Sequence, residues 1–233
     1  MISLDIVHSS WKNFIKANLY LIEILITDIL TNCKYYPEPI NIFKVFETPL
    51  DKIEVVILGE EPYYLPNMSI GRAYAIKEGK ELTTALKNIL KQINEENVSL
   101  FYQPKSWQTL EHWSKQGVFL LNTALTVESG LPKSHLKYWR KFIEKVIIHI
   151  SINKPCIWFM WGSIPQTFIP QIKGKTLHVI GYDKDTISHI PKDDKMNYIL
   201  IASSPDNKDF IGCNHFYYTN IILKGNRKFP IQW

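Results

Sequence analysis

Ile53–Tyr64, IEVVILGEEPYY, is a dense apolar run that stops at Gly59 and turns into two carboxylates, a proline and two tyrosines. Continuous apolar character ending in glycine is the pattern of a strand buried on both faces, as in parallel sheets. The polar cluster then lies at the strand's carboxyl end, where ligands bind in open α/β sheets because the connecting loops converge there. Adjacent acids at such an edge are costly unless a ligand or a reaction uses them.

Three further runs have the same form. Val118–Leu121 ends at Asn122, Cys156–Trp161 ends at Gly162 and Ser163, and Tyr198–Ala202 ends at Ser203, Ser204 and Pro205. Apolar residues recur at helical spacing from Trp11 to Leu30, and Thr83–Ile93, Ser106–Gln116 (with Ser106 as cap) and His135–Ile150 also read as helices, with a short helical turn at Ile42–Phe46. This alternation predicts a three-layer α/β single domain over residues 1–233, with a central four-stranded parallel sheet flanked by helices. Residues 1–50 are its N-terminal helical scaffold, and the polar stretch 182–197 is a mobile surface insertion. The strand ends bring Glu60, Glu61, Asn122, Ser163 and Ser204 to one edge.

The bulk composition agrees. With 233 residues, 45% of them hydrophobic, the chain suffices for one well-buried domain. A net charge of +5 permits a polyanionic partner, and 13% aromatic content supplies stacking surface for bases. The three cysteines, Cys33, Cys156 and Cys213, are scattered and show no metal-ligand pairing, so the expectation is a reducing compartment, no metal and no cofactor. No run is long enough for a membrane span and no signal segment opens the chain, which predicts a cytoplasmic protein.

Four blocks carry a family resemblance: Ile42–Tyr64 (IFKVFETPLDKIEVVILGEEPYY), Gly117–His135 (GVFLLNTALTVESGLPKSH), Phe159–Ser163 (FMWGS) and Phe210–Asn220 (FIGCNHFYYTN), with FPIQW at the end. In this order, and across nearly the whole chain, they resemble the family 1 uracil-DNA glycosylases. The resemblance implies a monomer that flips uracil out of DNA and hydrolyses its N-glycosidic bond without metal or cofactor.

It also implies roles. Glu61 stands where the family has the aspartate that positions the hydrolytic water and stabilises the cationic sugar, a task for a carboxylate; the commoner fate of such an acid is a solvent-facing loop. Glutamate is one methylene longer, and a displacement of about 1 Å can cost about 100-fold in rate. Glu60 replaces a uracil-binding glutamine and either faces the base or points to solvent. Pro62 belongs to the same pocket, Tyr63 matches the tyrosine that excludes thymine's methyl group, and Tyr74 falls where a phenylalanine stacks on the base. Asn122 matches the uracil reader, because one amide offers a donor and an acceptor to O4 and N3–H; the other reading is a turn-capping asparagine. Tyr64, Gly162, Ser163, Ser204 and Lys208 form the expected DNA-contacting set.

The departures from the family are as specific. Ala202 occupies the position of the histidine that donates to uracil O2, and one lost donor of this type costs about 10²–10³ in rate. His189 could substitute, although a surface histidine is the plainer reading. Asp206–Asp209 is about two residues shorter than the family's intercalating loop and lacks its apolar wedge, Leu82–Ala85 replaces a proline-rich clamp, and Tyr64 replaces a phosphate-binding histidine. Two functions follow: a divergent glycosylase of altered or reduced efficiency, suited to single strands, or a catalytically inactive homologue acting as a DNA-binding, replication-accessory or decoy module. A proteinaceous inhibitor or replication protein is a possible further partner.

Overall fold

A computed structural model of the chain describes residues 4–96, 107–180 and 183–233. Its principal elements are α1 (Ser9–Asn18), β1 (Tyr35–Tyr36), β2 (Val55–Gly59), α2 (Thr84–Glu96), β3 (Val118–Asn122), β4 (Val127–Glu128), α3 (Leu136–Asn153), β5 (Ile157–Trp161), β6 (Lys175–His178), β7 (Met196–Ala202) and α4 (His215–Gly225).

The central sheet is parallel throughout and has five strands, not four, in the order β3-β2-β5-β7-β6. The additional edge strand, β6, carries mostly exposed residues and so lacks the apolar density that marks the other four. Alternation along β2 sets the three layers. Val56 and Leu58 pack with Trp11 and Ile15 of α1 and with Trp139, Phe142, Val146 and Ile147 of α3. Val55 and Ile57 pack on the opposite face with Leu86, Ile89 and Ile93 of α2 and with Phe216, Ile222 and Leu223 of α4. Each such fully buried side chain contributes about 1.5–3 kcal/mol relative to exposure.

The expected continuous helix from Trp11 to Leu30 is broken. After α1 the backbone tightens into a 3₁₀ turn at Leu19–Ile22, loosens into a π turn at Leu25–Ile29 and closes with a helical turn at Leu30–Asn32. The apolar spacing explains this: Ile22 and Leu25 are three apart and Leu25 and Leu30 five apart, yet all three are buried, so the winding changes to keep them facing the core. Ser106 lies outside the described residues. In the expected surface insertion 182–197, the described charged residues at 183–185 are exposed, but Ile187 and Ile190 are buried in the core beside α4. A two-stranded antiparallel ladder, β1 with β4, pairs Tyr35 with Glu128 and Tyr36 with Val127. Among the described residues no helix is long and apolar enough to cross a membrane.

Candidate functional site

The carboxyl ends of β2 and β3 are in register, so Gly59 lies directly opposite Asn122. A Cβ at Gly59 would collide with Asn122 Oδ1 and come within 2.9 Å of Ala73 Cβ; glycine is what lets the asparagine lie across the end of β2. Asn122 is buried, and its side-chain amide makes no hydrogen bond to another described residue, which leaves both a donor and an acceptor for a ligand. The next two residues clamp the acid pair: Thr123 N donates to Gly59 O (2.9 Å), and Ala124 N (3.2 Å) and Thr123 Oγ1 (2.5 Å) donate to Glu60 O.

Beyond this junction opens a cavity of about 430 Å³ lined by Glu60, Glu61, Pro62, Tyr63, Tyr64, Tyr74, Ala85, Asn122, Lys133, Trp161, Ser204 and Asp206. This volume suits a small planar ligand. Tyr74 adopts a left-handed backbone (φ 61°), costly for a non-glycine residue, and its ring lies 5.6 Å from that of Trp161. Tyr63 Oη and Thr83 Oγ1 are 2.9 Å apart and hydrogen-bonded, and Thr83 Oγ1 also accepts from Leu86 N at the start of α2. The substituted clamp segment thus fixes the pocket tyrosine. Burial pushes the Tyr63 phenol up to about 12, so it stays a neutral hydroxyl.

Charge is concentrated at one wall. Lys133 N donates to both oxygens of Glu61, at 2.9 and 2.8 Å, and Lys133 Nζ pairs with Glu60 at 3.1 Å. Burial raises the Glu61 carboxyl to about 7; the Lys133 amide opposes the shift, the Glu60 charge adds to it, and the Lys133 ammonium opposes it. Asp206 is also raised, by burial and then by Glu60, against hydrogen bonds from the Ala85 amide and Ser204. The site can therefore hold one carboxylate against developing positive charge while an amide reads an adjacent ring.

The expected pocket residues Glu60, Glu61, Pro62, Tyr63, Tyr74 and Asn122 all line one cavity, with Tyr64 and Ser204 at the same walls. Gly162, in a left-handed conformation, packs against Ser204, with Ser163 exposed beside it. Lys208 is exposed in a 3₁₀ turn and does not line the cavity. His189 is exposed in the 3₁₀ turn Ile187–His189 and is not among the lining residues, which include no histidine. Ala202 ends β7, its carbonyl accepting from Gly162 N (3.0 Å) and Gln166 Nε2 (2.9 Å).

Lys133, Trp161 and Asp206 complete the site and were not singled out by sequence, although each falls within or beside a block that was. A larger cleft of about 740 Å³ lies at the amino ends of β2 and β3, walled by Lys52, Glu54 and Gly117. Its acids are neutralised there, Arg72 pairing with Glu47 (2.9 Å) and Lys228 with Glu54 (2.6 Å), so it offers less uncompensated chemistry than the smaller cavity.

A sequence model described as "Uracil DNA glycosylase superfamily" matches residues 46–223. A uracil-DNA glycosylase of Buchnera aphidicola subsp. Cinara cedri is 36% identical over 236 residues, spanning 96% of this chain and 94% of its own. The crystal structure of mimivirus uracil-DNA glycosylase superposes with a TM-score of 0.80 at 22% identity, covering 100% of this chain and 89% of that one. A mimivirus UNG structure in complex with UGI gives the same TM-score and identity, with 91% of that chain covered.

Proposed function

The chain belongs to the uracil-DNA glycosylase superfamily, and from that premise we propose that it removes uracil from DNA in the cavity bounded by Glu61 and Asn122. It is an enzyme, an N-glycosyl hydrolase. The nucleotide is rotated out of the DNA so that uracil enters between Tyr63 and Tyr74, and stacking of this kind contributes about 1–3 kcal/mol. The Asn122 amide pairs with O4 and N3–H. As the bond between N1 and C1′ breaks, the Glu61 carboxylate stabilises the cationic sugar and orients the water that adds to C1′.

The observation that carries this reading is the convergence of the uncommitted Asn122 amide and the Glu61 carboxylate on one cavity. The charge that develops on the leaving base meets no histidine among the lining residues; Lys133 and Ser204 are among the polar donors there. That supports a slower reaction, most efficient on single strands, where extruding the base is cheapest. DNA follows the rim formed by Tyr64, Ser163 and Lys208, the enzyme acts as a monomer, and a proteinaceous inhibitor could cover the same rim.

The test is release of free uracil from a single-stranded oligonucleotide with one deoxyuridine, at enzyme excess, for wild type, Glu61→Gln and Asn122→Ala. Release by wild type and loss in both variants is expected. Equal release by all three, or none by wild type, overturns the assignment, and the second outcome leaves a homologue that holds DNA without cutting it.

A further inference from the structure

The antiparallel pairing of β1 with β4 does more than close a small ladder. It places Cys33, Glu128 and His135, distant in sequence, so that one ligand atom from each lies within 4.8 Å of the others. The ladder register sets Tyr35 against Glu128, and Ser129 N donates to Lys34 O at 2.8 Å, which brings the chain at Cys33 alongside the 127–135 turn. The turn is itself braced by Glu128 N donating to Ser134 Oγ at 2.9 Å.

His135 supplies the second, independent observation. It is only 1% exposed, yet its Nε2 has no hydrogen-bond partner. Its other ring nitrogen is held: Nδ1 lies 3.0 Å from Thr126 Oγ1, which also accepts from Trp139 Nε1 at 2.7 Å. A histidine oriented through Nδ1 by a fixed oxygen, with Nε2 left over, has the arrangement of a metal-ligating imidazole. Among the described residues the Glu128 carboxylate makes no ion pair, so its charge is uncompensated.

We propose that Cys33 Sγ, a Glu128 carboxylate oxygen and His135 Nε2 form a three-ligand site for a divalent transition cation of the zinc class, with water as the fourth ligand. One thiolate, one imidazole and one carboxylate are the donors such cations take in tetrahedral geometry. As the sulfur–metal bond forms, the Cys33 thiol gives its proton to solvent, so affinity falls about tenfold per pH unit where the free thiol is protonated and the imidazole is neutral. It falls more steeply in acid, where the imidazole must release a proton as well. The cation joins the N-terminal segment to the turn that carries Lys133, and so braces the acid wall from behind without touching substrate.

The test uses full-length, reduced, chelator-stripped protein titrated with zinc chloride alone, with bound metal measured by equilibrium dialysis and atomic spectroscopy. Wild type is expected to bind one equivalent; Cys33→Ser and Glu128→Gln, both at partly exposed positions, are expected to lose at least about tenfold in affinity, while Cys156→Ser and Cys213→Ser retain it. Cobalt loading should give a thiolate charge-transfer band in wild type that Cys33→Ser lacks. Circular dichroism confirms that each variant is folded. Failure of wild type to bind, or undiminished binding and an unchanged cobalt spectrum in Cys33→Ser, overturns the proposal; neither outcome bears on uracil release.

Discussion

The main-chain amide of Lys133 donates to both carboxylate oxygens of Glu61, at 2.9 and 2.8 Å. A residue whose own backbone is left-handed (φ 66°) therefore holds the carboxylate assigned to the reaction, and its ammonium holds the neighbouring acid, Glu60, at 3.1 Å.

Because burial raises Glu61 to about 7, and the working form is the carboxylate, single-turnover uracil release should climb between pH 6 and 8 with an apparent midpoint near 7. Glu60→Gln removes the charge that helps to raise it, so the midpoint should move to lower pH. A flat profile, or a midpoint that Glu60→Gln leaves in place, would show that another group controls the rate.

Lys133→Gly keeps the amide and suits the left-handed backbone but deletes the ammonium. With Glu60 no longer paired, Glu61 should titrate higher, and release at pH 7 should fall about 3- to 10-fold and recover by pH 9. Parallel pH profiles of the two proteins separate this from a structural defect, which alkaline pH would not repair.

The register of Gly59 with Asn122 predicts that Gly59→Ala acts on substrate reading. The added methyl must displace the Asn122 amide, so activity should fall by a factor approaching that of Asn122→Ala, about 10²–10³. Uracil binding by calorimetry should weaken in both variants while the far-ultraviolet dichroism stays native.

If Ala202 stands at the position of a lost donor, Ala202→His should accelerate release by up to about 10²–10³. The comparison is single-turnover rate on the same single-stranded substrate. No change would place the donor elsewhere, with Lys133 and Ser204 among the lining candidates.

Glu96 is 4% exposed and links two helices, accepting from Gln92 Nε2 (2.7 Å) and from Tyr217 N (2.5 Å) at the start of α4. Burial raises it from 4.5 to about 7. Since the folded value exceeds the unfolded one, the stability it contributes is full below about pH 4.5 and is lost as pH rises through about 7, on the order of 3 kcal/mol in all. Urea midpoints should therefore fall between pH 5 and 8 in wild type, and the fall should shrink in Glu96→Gln.

The fold was legible wherever burial was two-sided. β2, β3, β5 and β7 read as continuous apolar runs because helices cover both faces, whereas β6 is exposed and leaves no such trace. The winding changes after α1 were encoded in uneven spacing at Ile22, Leu25 and Leu30, which a single-period reading smooths into one helix. Asn122 and Glu61 were readable because each sits where an apolar run stops. Lys133 was not, because its contribution is a backbone amide aimed by a left-handed turn, and an amide has no side-chain signature. Asp206 stands in a short polar loop with no apolar wedge, and its contact with the Ala85 amide joins segments far apart in the chain, which no local pattern can reveal.

The polar strand β6 bounds the sheet in a second sense. Without β6 the sheet would end on this side at the apolar strand β7, presenting unpaired backbone groups beside a greasy surface, an invitation for another chain to add itself. Lys175, Thr176 and His178 are exposed on that rim, and Lys175 is held by Asp193 at 2.6 Å. The charges and hydroxyl that hid the strand from pattern reading thus discourage edge-to-edge aggregation on this side of the sheet, whereas the opposite edge, β3, is buried along its length.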